Sequence, residues 1–225
     1  MHLQRQVDKL NSLMRKIAEF VEVAVDQAMQ SVEGRDESLA RTVIANDARI
    51  NRMEIDIEEE CLHTLALYQP VAFDLRYVIA VLKINNDLER IGDHAVGIAE
   101  QAIFLSGEPP VDVVPFNLTG MAGRVRQMLR QALESMLNVD AELAQVVRQS
   151  DDEVDSIHRH MYEHVESAMR DYPQFISQLI SLMSISRQLE RIGDLCVNIA
   201  EDVIYLAQGD IARHGAQRGS GASTK

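Results

Sequence analysis

The sequence predicts an all-α fold, two sequence-related antiparallel three-helix bundles in tandem, and three observations carry that reading. Leu88-Glu89-Arg90-Ile91-Gly92-Asp93 recurs as Leu189-Glu190-Arg191-Ile192-Gly193-Asp194, and the match extends over 84–105 and 185–206 at a constant offset of 101 residues. Identity on that scale marks an internal duplication. Apolar residues recur at spacings of three and four, no stretch alternates with period two, and aromatics make up only 4% of the chain, which is a helical pattern. Three of the five prolines fall between Ser106 and Pro115, so the boundary between the halves lies there.

The first helix runs from about residue 3 to Ser31, with Leu10, Leu13, Ile17, Val21, Ala24 and Ala28 on one stripe, and Gly34 ends it. The second starts at a capping residue, Asp36 or Ser38, and carries Leu39, Val43, Ile50, Ile57 and Cys61 until Tyr68-Gln69-Pro70 stops it. The third spans about Val71 to Leu105, with Ile84, Leu88, Ile91, Ala95, Ile98, Ala102 and Leu105 in the steps of four and three typical of a coiled-coil seam. The plan then restarts. Residues 117–137 match the later part of the first helix, Asp140 to Tyr172 match Asp36 to Tyr68 at an offset of 104, and Pro173 to Leu206 match the third helix at 101. The change of offset falls in the turn after Tyr68 and Tyr172, where a deletion is best tolerated. The expected organisation is a first bundle over 1–106, a linker over 107–116, a second bundle over 117–207 and a disordered Gly/Ser-rich tail over 208–225.

With 22 Lys plus Arg against 35 Asp plus Glu, the net charge of −13 disfavours a nucleic-acid groove, and it disfavours binding of free phosphate without a metal bridge. Cations or basic partners suit it better. Two cysteines, Cys61 and Cys196, sit at non-equivalent positions of apolar stretches and form no disulfide or metal framework. No window approaches 18 apolar residues and the N-terminus lacks a signal-like apolar region, so a cytoplasmic setting is expected, with the membrane reached only through partners.

Chemistry concentrates on the face of the third helix opposite its seam. At about 100° per residue, Glu89, Asp93 and Glu100 fall within roughly 40° of one another, as do Glu190, Asp194 and Glu201. Acids at i and i+4 repel by a few tenths of a kcal/mol, a cost that an oxygen-seeking divalent or trivalent cation would relieve. The preceding helix offers a second pair, Asp151 and Asp155 in the second half, and Asp47 and Asn51, one charge poorer, in the first. The second site is therefore expected to bind metal more tightly, with magnesium, manganese, zinc and iron poorly separated by oxygen ligands alone. The alternative is a solvated acidic face. Gly92 and Gly193 cost about 1 kcal/mol each relative to Ala in a helix interior, and either close helix approach or room for a ligand accounts for them. Glu60-x-x-His63 has di-iron spacing, but its counterparts are His164 and Ser167, so chance is the better account. His158, His160 and His164 are read as a wet helix face or a transition-metal cluster. No phosphate loop or nucleophile signature is present, so no catalysis is expected.

The doubled Leu-Glu-Arg-Ile-Gly-Asp, with Asp74-Leu75-Arg76 shortly before its first copy, resembles the PhoU family, regulators of bacterial phosphate uptake, over residues 1–207. The resemblance implies tandem three-helix bundles and surface metal sites on Glu/Asp-x-x-x-Asp motifs, here Glu89/Asp93, Glu190/Asp194 and Asp151/Asp155, from which Asp47/Asn51 departs. Glu100 and Glu201 are added from helix geometry alone. The resemblance further implies a non-catalytic, homodimeric adaptor for negative regulation. Its implied partners are a sensor histidine kinase and the ATPase subunit of the phosphate ABC transporter. Arg76 is a candidate partner contact, or else a local ion-pair partner of Asp74. A metal-storing or redox-active carboxylate bundle is the reading from a different class.

Overall fold

A computed structural model of the protein describes residues 2–111 and 118–208. The described residues form six α-helices and one 3-10 turn: α1 (His2–Gly34), α2 (Glu37–Tyr68), α3 (Ala72–Gly107), α4 (Leu118–Asn138), α5 (Ala141–Asp171), the 3-10 turn Pro173–Phe175, and α6 (Ile176–Gln208). Tandem antiparallel three-helix bundles are what the periodicity requires. The expected tail, apart from Gln208, which closes α6, lies outside the described residues, as do 112–116 of the expected linker and residue 117, expected to open the second bundle.

Equivalent residues shape the two halves. Asp36 caps α2, its carboxylate accepting from the Leu39 N–H at 3.0 Å, and Asp140 caps α5 by accepting from Glu142 and Leu143, each at 3.0 Å. These interactions satisfy backbone donors that a helix start leaves orphaned. Just before each cap the chain turns through the left-handed region, at Arg35 (φ 51°) and Val139 (φ 52°). Gly34, expected as the stop, is instead the last helical residue, and Arg35 takes the strained position while its guanidinium bonds the Leu105 and Glu108 carbonyls. The three residues 69–71 between α2 and α3 have no counterpart between Tyr172 and Pro173, so the offset change falls at this turn. In the first half the turn passes through left-handed Gln69, and in the second it tightens to the 3-10 turn.

Within each half the seam residues are buried: Leu10, Ile17, Val21, Ile50, Ile57, Leu88, Ile91 and Ile98 in the first, with Met121, Met128, Val154, Leu189, Ile192 and Ile199 in the second. One continuous core joins the bundles. Lys83 pairs with Asp202 at 3.1 Å and His94 bonds Gln188 at 2.6 Å, so α3 and α6 run antiparallel. Glu22 and Asp26 of α1 face Arg130 and Arg126 of α4 in the same sense. The six helices therefore form two layers related by a pseudo-twofold, α2-α3-α6-α5 in one and α1-α4 in the other. Such an arrangement buries the seam of α3 and α6 against α1 and α4 and turns their acidic face outward.

Candidate functional site

In each bundle the outward groove between two helices of the larger layer gathers carboxylates. On α3, Gly92 lies against α2: a Cβ there would sit 3.2 Å from Ile50 Cδ1 and 3.6 Å from Asp47 Oδ1. On α6, a Cβ at Gly193 would sit 3.2 Å from Asp151 Oδ1 and 3.9 Å from Met128 Cε. The glycines thus let α2 and α5 approach closely enough for an aspartate to lean over the motif helix. Both readings of the glycine meet in one geometry, since close approach is what brings the second helix's carboxylate to the first.

The electrostatics follow. Asp47 has its carboxyl raised above the ordinary value by burial and then by Asp93, against a lowering hydrogen bond from Asn51, whose Nδ2 donates to Asp47 Oδ2 at 3.0 Å. Glu89 is raised by burial, then by Asp93, Glu54 and Asp47, with Arg90 opposing. In the second bundle, Asp151 is pushed up to about 6 by burial, then by Asp155, Asp194, Asp152 and Glu190. Glu54 joins the first cluster without having been singled out in the sequence, while Asp152 joins the second from beside the Asp151/Asp155 pair, where the sequence puts it; both lie on the helices that carry the companion acids. A buried carboxylate oxygen without a hydrogen-bond partner stands at the same place in each repeat, Asp47 Oδ1 and Asp151 Oδ1. An unsatisfied buried acceptor costs about 1–3 kcal/mol, and here the cost is incurred twice at equivalent positions.

The structure thus brings together Asp47, Asn51, Glu89 and Asp93 in one groove, and Asp151, Asp155, Glu190 and Asp194 in the other. Glu100 and Glu201 it does not. Glu100 is exposed two turns beyond Asp93, and Glu201 faces Arg148 Nε at 3.8 Å. Spacing on a straight helix put them in the row, but Asp47 and Asp151 stand against the 89–93 and 190–194 turns. Among the described residues, no three His, Cys, Asp or Glu side chains converge into a set that would hold a metal ion as it stands. The carboxylates are gathered, and a ligand sphere needs side-chain rotation.

The remaining candidates resolve locally. Glu60 pairs with Lys9 across to α1, His158 Nδ1 meets Ser186 Oγ at 2.8 Å, and His160 Nδ1 donates to the Ser156 carbonyl at 2.7 Å. Arg76 makes no ion pair with Asp74 among the described residues, and its buried Nε has no partner. Both cysteines are buried and free.

Sequence periodicity left one feature unseen. At the inter-bundle seam, beside Asp151 and Asp194, a cleft of about 300 Å³ is lined by Arg90 and His94 of α3 and by Arg191, Leu195, Val197 and Asn198 of α6. Duplicate motifs predicted that each bundle has an arginine here, but only the antiparallel docking of α3 on α6 brings the two to one place.

Tandem three-helix bundles with a carboxylate cluster on each duplicated motif define a class of duplicated helical domain pairs. No helix among the described residues is long and apolar enough to cross a membrane. The PhoU domain model matches residues 14–102 and again 118–203, the two copies starting at equivalent positions of α1 and α4, and the chain belongs to the PhoU domain family. It is 36% identical over 215 residues to the phosphate-specific transport system accessory protein PhoU homolog of Aquifex aeolicus, covering 95% of this chain and 96% of that one. The homolog of the same name from Pseudomonas aeruginosa is 38% identical over 211 residues, covering 93% of this chain and 86% of that one. The crystal structure of PhoU from Pseudomonas aeruginosa superposes with a TM-score of 0.90 at 36% identity, covering 92% of this chain and 99% of that one. The phosphate transport system regulatory protein PhoU from Streptococcus pneumoniae gives 0.85 at 27% identity, over 93% and 98%.

Proposed function

We propose that this protein is an accessory protein of a phosphate transport system, a non-catalytic cytoplasmic adaptor that restrains phosphate uptake and the phosphate-starvation response when phosphate is plentiful. The observation that carries this reading is likeness over nearly the whole length to proteins named for that role, 95% of this chain against 96% of one relative. In this reading a homodimer engages two partners, a sensor histidine kinase held in its inhibitory state and the ATPase subunit of the phosphate ABC transporter. The larger helical layer is the platform. Its seams are filled by core residues, so docking uses exposed polar rims and is transient, with Arg76 as one contact.

Metal ions belong to the same proposal. Asp151, Asp155, Glu190 and Asp194 would hold a cation in the second bundle, and Asp47, Glu89 and Asp93, with the Asn51 amide oxygen, a weaker one in the first. What supports this is the donor set: oxygen ligands suited to hard or borderline cations, with an unpartnered buried carboxylate oxygen in each cluster. A bound cation would add positive charge to clusters whose acids outnumber their arginines, Arg90 beside the first and Arg191, paired with Glu190 and Asp194, at the second. The chain's own residues orient the carboxylates and keep one oxygen of each aspartate out of water.

Deleting the gene is expected to derepress phosphate-starvation genes in phosphate-rich medium, and unchanged expression would overturn the adaptor reading. In parallel, elemental analysis of protein purified without chelator is expected to find metal that disappears in Glu89→Ala/Asp93→Ala/Glu190→Ala/Asp194→Ala with helicity retained. Equal, negligible metal in both proteins would make the acids a solvated face.

A further inference from the structure

The seam cleft holds cationic and amide groups in an otherwise acidic molecule. Arg90 and His94 approach from one bundle and Arg191 and Asn198 from the other, around about 300 Å³ of space, about ten times the ~30 Å³ share of a water molecule. Guanidinium forks suit tetrahedral oxyanions because they present paired donors at matching geometry. Two such forks and a side-chain amide around one space supply donors for a hydrogen-phosphate dianion, and a neutral imidazole adds an acceptor for its P–OH. His94 Nδ1 already donates to Gln188 Oε1 at 2.6 Å, which fixes the ring and leaves Nε2 as its second polar edge.

The arginines are not equally available. Arg90 is half exposed and stands 3.7 Å from Asp87 Oδ1, a loose pairing. Arg191 is held more firmly, Nη1 at 2.9 Å from Asp194 Oδ2 and Nε at 3.5 Å from Glu190 Oε2. With Asp151 and Asp194 in the wall, the cleft of the metal-free protein carries as much negative charge as positive, and an anion gains nothing by entering it. A divalent cation on Asp151 and Asp194 changes the balance: it neutralises the carboxylate that holds Arg191 and adds positive charge beside the cleft.

We propose that the seam cleft is a metal-conditional oxyanion site, taking inorganic phosphate between Arg90, Arg191, His94 and Asn198 once a cation occupies Asp151 and Asp194. This rests on the metal reading above and adds to it a ligand read by both bundles at once. Binding is expected only when metal and phosphate are present together. Because α3 and α6 each contribute, an occupied cleft also ties the two bundles across their seam.

The experiment is a pair of titrations of the full chain, manganese(II) with and without inorganic phosphate, and phosphate with and without manganese(II). Linkage requires the two affinities to rise by the same factor, expected to be at least about fivefold, the low end of typical coupling. Arg90→Gln, at a side chain 52% exposed and so compatible with folding, is expected to retain manganese uptake and lose the phosphate effect. It also subtracts any association of manganese with phosphate in solution. Asn198→Ala, on the opposite wall, is expected to weaken the effect. Manganese uptake without a phosphate effect, equal phosphate affinity with and without manganese, or an effect unchanged in Arg90→Gln would overturn this proposal alone. Failure of manganese to bind at all would overturn the metal reading and this proposal with it.

Discussion

The two acidic clusters occupy equivalent grooves, yet one side chain sets them apart. At position 51 an amide donates to Asp47 and lowers its carboxyl; at the equivalent position 155 a carboxylate faces Asp151 and helps push it up to about 6. Asp47 is partly satisfied from within its cluster, whereas Asp151 has only carboxylates against it, Arg191 being taken up by Glu190 and Asp194. Duplication preserved the scaffold, including the caps, the left-handed turns before them and the glycine contacts, while the charge at one i, i+4 position drifted. Cation demand is thus tuned by a single side chain, without disturbing the fold that gathers the others.

Exchanging that side chain is the strongest way to break the comparison. Asp155→Asn is expected to weaken manganese binding in the second bundle by at least the roughly 10–100-fold seen when even outer-shell partners of a metal site are removed. Asn51→Asp is expected to strengthen the first site in the same proportion. In the double variant the order of the two sites should reverse, as read by stepwise titration. Unchanged order would mean that position 51/155 does not set affinity and that the difference lies in Glu54 or Asp152 instead.

A smaller effect, still specific to the second cluster, is the dependence of metal-free stability on pH. The Asp151 carboxyl is raised in the folded chain from an ordinary 3.8 to about 6. Below pH 4 the group is protonated in both folded and unfolded states. Between about 4 and 6 the folded chain keeps a proton that the unfolded chain releases, so this group's contribution falls as pH rises and is at its lowest above 6. Wild type should therefore lose stability relative to Asp151→Asn across that window. At pH 7 the variant should be more stable by on the order of 1 kcal/mol, solvent screening having been allowed for, or about 2–4 °C in Tm for a chain of this size. Saturating manganese should reverse the ranking by stabilising only the wild type. Parallel stability curves for the two proteins from pH 4 to 7 would remove the claim that Asp151 stands unsatisfied.

The sequence carried most of this architecture and one half of each site. Steps of three and four in the seam residues, a cap at Asp36 or Ser38 with its repeat equivalent, and prolines confined to turns fix six helices, because these are local signals with local causes. Glu89/Asp93 and Glu190/Asp194 were legible because i, i+4 spacing places them on one face, and Asp47 and Asp151 because the repeat aligned them. Glu100 and Glu201 were misplaced by the same rule: helical phase gives the angle around an axis but says nothing of what stands opposite. Lys83–Asp202 and the convergence of Arg90 with Arg191 depend on how one bundle docks on the other, and Arg148–Glu201 on how α5 packs against α6. No periodicity within a helix encodes that.

The finest distinction between the clusters lies at the glycines. Replacing a helical glycine by alanine gains up to about 1 kcal/mol in propensity, and the neighbour met by the new methyl decides how much survives. At Gly92 that neighbour is Ile50 Cδ1 at 3.2 Å, with Ile50 Cγ2 close behind at 3.4 Å, a side chain buried in the core with little room to give. At Gly193 it is Asp151 Oδ1 at 3.2 Å, an oxygen with no partner to lose and open groove to turn toward. Gly193→Ala should therefore be the more stable of the two metal-free variants, by a few tenths of a kcal/mol to about 1 kcal/mol, within the propensity gain. Its manganese affinity should drop, because the methyl displaces the carboxylate from the motif helix. Gly92→Ala should sit near wild type in stability and keep its metal. Stability and metal binding would then move in opposite directions at one position and not at its repeat equivalent. A Gly193→Ala protein that binds manganese as wild type does would show that the close approach of α5 serves packing alone.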